Sequence, residues 1–149
     1  MVDPPPATRP EDDLSQEQYA AIAAFRYELR RFLAFSEAEA ASVGVPPQQH
    51  QALLVIAGHC GPGHPTVGAL AEQLLIAPHT AAELASRMVD TGLLAKTVST
   101  QDRRRVELTI TTKADRLLRR LTAAHLRELE TLEPALTRAL GRLNRARPG

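Results

Sequence analysis

Apolar residues follow a helical repeat over most of the chain and a strand repeat over one short part. After a Pro-rich start, they recur every three or four residues from Tyr19 to Leu33, which predicts an amphipathic helix of six or seven turns. Ser15 and Gln18 have the spacing of a capping box at its start. The segment GVPP at 44–47 ends this helix and begins a second one, whose run LLVI indicates deep burial.

Two shorter helices and a hairpin follow. The segment GHCGPGHP at 58–65 has the glycines and prolines of a loop, and TVGALAEQLL at 66–75 predicts a short third helix. After the turn IAPH, the segment TAAELASRMVDTG predicts a fourth helix that ends at Gly92. From Leu93 the repeat is that of strands, because LLAKTVST and VELTI are rich in Val, Ile, Leu and Thr and flank QDRR as hairpin strands do.

The helical repeat returns after TTK and continues almost to the end of the chain. Leu117 and Leu121 begin it, Pro134 is expected to break it, and the leucines after that proline predict a last helix. The predicted fold is therefore mainly α with a small β-hairpin: four helices, the hairpin and two helices. Residues 1–13 are acidic and Pro-rich, which predicts a disordered tail.

Composition limits the class of protein. The 149 residues suit one domain with a real core, and a formal net charge of +1 neither favours nor excludes an acidic partner. Sixteen of the 18 basic residues are arginine, the side chain suited to forked contacts with phosphate and guanine. One cysteine fits a reducing compartment. Without an apolar run near 18 residues or a signal core, we expect a soluble cytoplasmic protein with no membrane partner.

The predicted fourth helix has one apolar stripe and one polar face. At about 100° per residue, four residues share the stripe that a core would bury: Ala81, Leu84, Ala85 and Met88. The opposite face carries His79, Ala82, Glu83, Ser86, Arg87 and Asp90. A small side chain, hydrogen-bonding groups and an arginine suit the edges of bases in a DNA major groove. An ordinary solvated helix face is the alternative, and these residues alone do not separate the two.

The tip of the predicted hairpin concentrates positive charge, because Arg103, Arg104 and Arg105 directly follow Asp102. Three adjacent like charges repel one another, so without a partner they contribute nothing to the fold. Duplex phosphates or a narrow minor groove remove that repulsion, and Asp102 can orient one arginine through a charge-assisted bond. A basic hairpin after a helix-turn-helix predicts a winged helix that binds double-stranded DNA.

Two segments within residues 66–118 resemble the MarR family of bacterial transcriptional regulators. LAEQLLIAPHTAAELASRMVDTGLL is similar to the family's LAxxLxLSPSTVTRLVDRLEEKGLV, and QDRRRVELTITTKADRLL is similar to its wing pattern DxR…LTxxGxxLL, both without a gap. The resemblance implies a winged helix-turn-helix core flanked by dimerisation helices. The implied domains are the tail 1–13, an N-terminal dimerisation helix 14–45, a winged helix-turn-helix DNA-binding region 46–112 and C-terminal dimerisation helices 113–149.

The resemblance also implies which residues contact DNA. On the recognition helix they are Pro78, His79, Thr80, Ala82, Glu83, Ser86 and Arg87. On the wing they are Asp102, Arg103, Arg104 and Arg105, with Asp102 and Arg104 at the family's Asp-x-Arg pair. If the strand extends that far, alternation places Arg103 and Arg105 on the side away from Arg104, and the sequence does not separate them as the second wing contact.

Three residues depart from the family pattern. Ala77 stands where the family prefers a Ser cap, which should weaken that helix start by about 1 kcal/mol. Glu83 replaces a common arginine; its carboxylate either accepts from cytosine N4 or forms an internal salt bridge, and both remain open. Ala114 replaces a glycine at the start of the fifth helix, which affects the detail of that turn.

The predicted function is a sequence-specific transcriptional regulator, more often a repressor than an activator. The apolar stripes of the long first and last helices predict a homodimer, although they could instead wrap one core. A two-fold axis would set two recognition helices roughly 34–36 Å apart on an inverted-repeat operator. Because many relatives release DNA when a small molecule binds, the resemblance also implies an unidentified small-molecule effector. No cofactor is expected.

Cys60 and four histidines raise alternative interpretations. Cys60 adjoins His59 and lies near His64, and imidazoles could lower its pKa for redox sensing, although an inert loop cysteine is the simpler interpretation. The same three residues could bind zinc, but a fourth ligand is not nearby, so no metal site is expected. His50 and His125 are expected on a helix surface or at an interface.

Other classes of function have less support in the sequence. A winged-helix module that binds protein usually loses the basic wing, which this chain keeps. No phosphate-cradling Gly loop, GxSxG or HExxH motif indicates an enzyme. An architectural DNA binder, whose affinity would hardly depend on the operator, remains a further alternative.

Overall fold

The computed structural model describes residues 9–147 and divides the chain into two compact units. One runs from Phe35 to Leu126 and is called the central unit below. The other, the terminal unit, contains the residues up to Ala34 and those from Arg127 onward. The central unit extends beyond the predicted DNA-binding region 46–112 at both ends. It extends at the C-terminal end because the first turns of the last helix bury Ala114 and Leu118 in its core.

Within residues 9–147, a short 3-10 helix, five α-helices and two strands follow one another. The 3-10 helix is Pro10–Asp13. The α-helices and strands, in chain order, are α1 Gln16–Ser42, α2 Pro47–Ala57, α3 Val67–Leu74, α4 Pro78–Asp90, β1 Leu94–Val98, β2 Val106–Ile110 and α5 Thr112–Ala146. A mainly α fold with one β-hairpin is thereby confirmed.

The helix starts follow the local sequence. The Ser15 N–H donates to Gln18 Oε1 at 2.7 Å, and the Gln18 N–H donates to Ser15 Oγ at 3.4 Å, so the predicted capping box is present. Gly44 has a φ of +75°, which favours glycine where α1 ends. Pro47 occupies the first turn of α2, where a missing N–H costs nothing.

The C-terminal region is one helix, so the prediction of two helices separated at Pro134 is wrong. Pro134 lies inside α5, where a proline removes one backbone hydrogen bond and crowds the preceding turn. Leu132 and Ala139 are both buried on either side of it. Their burial offsets the lost hydrogen bond, and the helix continues to Ala146.

Part of the N-terminal segment has regular backbone structure, and the disorder of the tail 1–13 stays a prediction. Pro10–Asp13 form a 3-10 helix within the segment expected to be disordered, since Pro10 presets the φ that a first helical turn requires. Residues 1–8 lie outside the described residues.

In the terminal unit, polar contacts link the first turn of α1 to the last turns of α5. Arg142 Nε donates to Glu17 Oε1 at 2.6 Å, and Gln18 Nε2 donates to the Ala146 carbonyl at 3.0 Å. The hydrogen bond from Arg142 lowers the pKa of Glu17 below its ordinary value. None of the helices between residues 9 and 147 is both long and apolar enough to span a membrane.

The core of the central unit lies beneath α4 and the hairpin. The predicted stripe of α4 is buried, as expected: Ala81, Leu84, Ala85 and Met88. It packs in one cluster with Leu53 of α2, Leu70 of α3 and Leu108 of β2. The antiparallel strands pair Leu94 with Ile110 and Val98 with Val106. The polar face of α4 is therefore the face left outside.

Candidate nucleic-acid interface

A tight turn connects α3 to α4. Leu75 ends α3 in the left-handed conformation, with a φ of +56°, and the Ile76 N–H donates to the Ala71 carbonyl at 3.1 Å. Ala77 is the N-cap of α4 and makes no side-chain cap bond, while Pro78 occupies the first turn. As the sequence predicts, α4 therefore starts without a side-chain cap.

The outer face of α4 presents the predicted recognition residues to solvent to different degrees. Pro78, His79, Glu83 and Arg87 are exposed. Thr80, Ala82 and Ser86 are half-buried. Within residues 9–147, Glu83 forms no ion pair; its exposed carboxylate is available to accept from a ligand, and its role stays a prediction.

Lys96 joins the hairpin to this face of α4. It lies on β1, and its Nζ donates to Ser86 Oγ at 2.6 Å. The Ser86 oxygen is then an acceptor for the ammonium, so its own hydrogen can point outward as a donor. Lys96 is not among the site residues predicted from the sequence. A lysine at an outward position of a strand otherwise rich in apolar residues and threonine could have indicated it.

The tip of the hairpin is held by a small network around Asp102. Asp102 Oδ1 accepts the Arg104 N–H at 3.0 Å and lies 3.9 Å from Arg104 Nε. Ser99 Oγ accepts the N–H groups of Gln101 and Asp102 at 3.3 and 3.4 Å, and the Ser99 N–H donates to the Arg105 carbonyl at 2.9 Å. As predicted, Asp102 orients one of the three arginines, and that arginine is Arg104.

The three arginines all lie in the turn. Because β2 begins at Val106, strand alternation does not extend to Arg103 and Arg105, and it does not assign them to one side. Arg103 and Arg105 are exposed, and the Arg104 side chain is 96% exposed. Three adjacent cations held in solvent on a fixed turn form a surface of high positive potential.

Cys60 is an exposed loop residue, and its thiol donates to the Gly58 carbonyl at 3.3 Å. Among the described residues, no three His, Cys, Asp or Glu side chains are grouped to hold a metal ion, so His59, Cys60 and His64 are not brought together as ligands. His50 and His125 were expected at a surface or an interface; both are buried in the central unit. They face one another across α2 and α5, a pairing that their separation in sequence does not reveal.

The order of the elements defines the class of protein. A short helix, a tight turn and a second helix with one outer polar face form a helix-turn-helix. A two-stranded hairpin with a basic tip follows α4 directly. The central unit is therefore a winged helix-turn-helix domain.

The family assignment follows from comparison with known proteins. Residues 43–105, which contain α2, α3, α4 and most of the wing, match the model of the MarR family. The match confirms the resemblance to that family: it contains the whole first motif and the first five residues of the second. No curated protein matches the chain.

Solved structures show the same fold. The Staphylococcus aureus transcription regulator MepR is 20% identical, with a TM-score of 0.65 over 74% of this chain and 79% of that one. The S. aureus MepR–DNA complex is 20% identical, with a TM-score of 0.61 over 76% and 79%. A MarR transcriptional regulator from Methanosarcina mazei Go1 is 20% identical, with a TM-score of 0.59 over 73% and 78%. The chain thus has the fold of MarR-family transcription regulators.

Proposed function

We propose that this protein is a sequence-specific regulator of transcription that binds double-stranded DNA through α4 and the wing. The observation that carries the proposal is the Lys96–Ser86 hydrogen bond, because it places the base of the wing beside the polar face of α4. A helix face built to meet base edges and a basic hairpin built to meet phosphates are thereby parts of one surface. The MepR–DNA complex supports the proposal by its likeness of fold.

In this proposal, α4 enters the major groove and its half-buried and exposed side chains meet base edges. Arg87 suits the O6 and N7 acceptors of guanine, and Ala82 suits a thymine methyl. Glu83, which is exposed and without an ion pair in the described residues, suits the N4 donor of cytosine. Pro78, His79 and Thr80 begin α4, where N–H groups without helical partners favour a phosphate.

The wing supplies contacts that do not depend on base sequence. Arg104 is the principal one, because Asp102 holds its backbone N–H at 3.0 Å and lies 3.9 Å from its Nε, while the side chain stays 96% exposed. Arg103 and Arg105 add positive charge on either side of it. A phosphate backbone or a narrow minor groove is the partner that such a turn requires.

We further propose a homodimer that binds an inverted repeat. The terminal unit exposes large apolar side chains on α1 and α5, among them Tyr19, Ile22, Leu33 and Leu140. A group of exposed apolar residues of this kind is typical of a protein–protein interface. A second copy with two-fold symmetry would cover it and present two α4 helices to one duplex.

Repression and release by a small molecule complete the proposal. A dimer bound to an operator that overlaps a promoter would exclude polymerase, and an effector that favours another dimer geometry would release it. Both statements rest on the family resemblance. The effector is to be sought among compounds that dissociate the complex with DNA.

The proposal is tested by fluorescence anisotropy with labelled DNA from the region upstream of the protein's own gene and with a scrambled duplex. Wild type and Arg104→Ala are compared over a series of salt concentrations. We expect tight binding to the native duplex alone, and a salt slope that flattens by about one in the variant, since one phosphate contact is lost. Arg127→Ala, which removes the same charge from an exposed position of α5 in the terminal unit, should leave the slope unchanged.

Three other outcomes would change the conclusion. Equal affinity for both duplexes would indicate an architectural binder or an operator elsewhere. An equal change in Arg104→Ala and Arg127→Ala would show that the wing has no special role. No binding at low salt would refute DNA regulation and favour a winged-helix module that binds protein.

A further inference from the structure

Two imidazoles meet inside the central unit and take no part in the proposed DNA-binding surface. His50 of α2 is 1% exposed and His125 of α5 is 8% exposed. Their ring centroids lie 4.9 Å apart. The rings of Phe35 and His125 pack in a T-shaped arrangement with their centroids 5.2 Å apart. The pair therefore connects the C-terminal third of α1, the first turn of α2 and the fourth turn of α5.

The hydrogen bonds of His125 define its neutral form. Its Nδ1 lies 2.6 Å from the Leu121 carbonyl, and its Nε2 lies 2.8 Å from Ser36 Oγ. A carbonyl can only accept, so Nδ1 carries the proton and Nε2 accepts from the Ser36 hydroxyl. Protonation of Nε2 would end that arrangement, because the Ser36 hydroxyl would have to turn from donor to acceptor.

His50 has a less favourable environment for a charge. Its Nε2 is buried without a hydrogen-bond partner in the described residues, which is uncommon for a buried polar atom and costs stability. Burial, and then the charge of a nearby His125, lower the pKa of His50 below its ordinary value of 6.5.

The groups that contact the histidine pair come from α1 and α5. His125 of α5 faces His50, and Phe35 and Ser36 of α1 contact His125. α2 carries no other ionisable group. Within residues 9–147, no carboxylate forms an ion pair with His50. A proton on His50 would therefore have no ion-pair partner among the described residues, on a side chain that is only 1% exposed to solvent.

We propose that the His50–His125 pair is a pH-responsive joint, which packs α1, α2 and α5 together while both rings are neutral and loosens them when a proton is taken up. The consequence extends to α4, because Leu53 of α2 and Leu118 of α5 share one buried cluster with Met88 of α4. Acidification should therefore weaken the hold of α4 on DNA. That second consequence rests on the proposed function, whereas the loosening itself does not.

The sign of the stability change follows from the lowered pKa. The unfolded chain takes up a proton on His50 near pH 6.5, whereas the folded chain takes it up only at lower pH. Folding stability from this group is therefore fully present above about pH 6.5 and is lost as the pH falls below it.

The first experiment measures thermal unfolding of the full chain between pH 7.5 and 5.5. Wild type is compared with His50→Gln, which keeps a polar side chain that does not titrate, and with His59→Gln, an exposed histidine of the 58–65 loop. We expect the midpoint of wild type and of His59→Gln to fall with pH more steeply than that of His50→Gln. Equal slopes for all three proteins would overturn the proposal.

A second measurement on the wild type keeps the proposal testable if His50→Gln does not fold. NMR of the imidazole resonances should show that the pKa of His50 lies below its ordinary value of 6.5. A His50 pKa at or above that value would overturn the proposal.

The third experiment measures the dissociation constant for operator DNA at pH 7.5 and 5.5. We expect acidification to weaken wild type about fivefold or more relative to His50→Gln, the lower range of coupling between sites. His79 on the face of α4 is common to both proteins, so any effect of its imidazole cancels in their ratio. An equal change in both proteins would overturn the coupling to DNA. If the protein binds no DNA at any pH, but the unfolding midpoint of wild type still falls with pH more steeply than that of His50→Gln, the proposed function is refuted and the pH-responsive joint is retained.

Discussion

The hydrogen bond from Lys96 to Ser86 restricts the hydrogen-bonding behaviour of the Ser86 hydroxyl. A serine hydroxyl alone can donate or accept, so it discriminates weakly between base edges. With Lys96 Nζ donating to one lone pair of its oxygen at 2.6 Å, the Ser86 hydroxyl keeps its hydrogen as a donor and has one fewer acceptor site. It then favours acceptors such as purine N7, guanine O6 or thymine O4.

We expect Ser86→Ala and Lys96→Met to weaken DNA binding in different ways. Ser86→Ala should relax discrimination at one base pair by about 1–3 kcal/mol with an unchanged salt slope. Lys96→Met keeps the length of the side chain without its charge, and should also flatten the salt slope by about one if the ammonium contacts phosphate. Anisotropy against a set of duplexes with single base changes measures both effects.

Equal losses on every duplex in Ser86→Ala would contradict a role in reading bases. Thr97→Ala, at an exposed position next to Lys96 on β1, serves as the control for a change on the same strand.

At the scale of elements, α4 is the helix on which the proposed DNA contact depends, and it starts without a side-chain cap. Thr66 caps α3, where its Oγ1 accepts the Ala69 N–H at 3.1 Å. Ala77 has no such atom, and α4 starts without a side-chain cap bond. The buried stripe from Ala81 to Met88 therefore holds α4 in place with little local help at its N-terminus.

We expect Ala77→Ser to stabilise the protein by about 1 kcal/mol, because the hydroxyl would accept an N–H of the first turn. Ala77 already has the extended backbone that an N-cap needs, with φ −65° and ψ 147°. Urea unfolding followed by circular dichroism measures the gain. Ala123→Ser, on an exposed interior turn of α5, should instead lose about 0.5 kcal/mol. Lower stability in Ala77→Ser would show that the start of α4 is not limited by its cap.

At the scale of the whole molecule, the two units distribute their exposed apolar side chains differently. The central unit exposes four large ones on separate elements, and Leu75, in the turn before α4, is 92% exposed; the others are Leu54, Val98 and Leu126. The terminal unit exposes six on α1 and α5: Tyr19, Ile22, Tyr27, Leu29, Leu33 and Leu140. Their concentration on one pair of helices supports dimerisation through the terminal unit.

We expect Ile22→Glu to convert the protein from dimer to monomer in analytical ultracentrifugation, because the dimer would bury a carboxylate without a partner. Affinity for the inverted repeat should fall, while circular dichroism should stay that of a helical protein. Leu75→Glu places the same charge on an exposed apolar residue of the central unit and should remain dimeric. A monomeric wild type, or a dimeric Ile22→Glu, would refute an interface at this position.

The sequence by itself determined most of the elements and much of the candidate site, because those features depend on local patterns. The stripe from Ala81 to Met88, the capping box at Ser15 and the arginine turn after Asp102 are each encoded within a few residues. A repeat of 3.6 or 2 residues specifies which face of an element is buried before any partner is known. The family motifs indicated the proposed function of those surfaces, which is the binding of DNA.

Only the tertiary structure decided the features that depend on contacts between distant residues. The bond from Lys96 to Ser86, the pairing of His50 with His125 and the continuation of α5 through Pro134 were not legible in the sequence. Their energies come from burial and from partners on other elements, and local propensity gives way when packing opposes it. Sequence periodicity thus determined which side chains face outward on α4, whereas packing determined which of them have a partner.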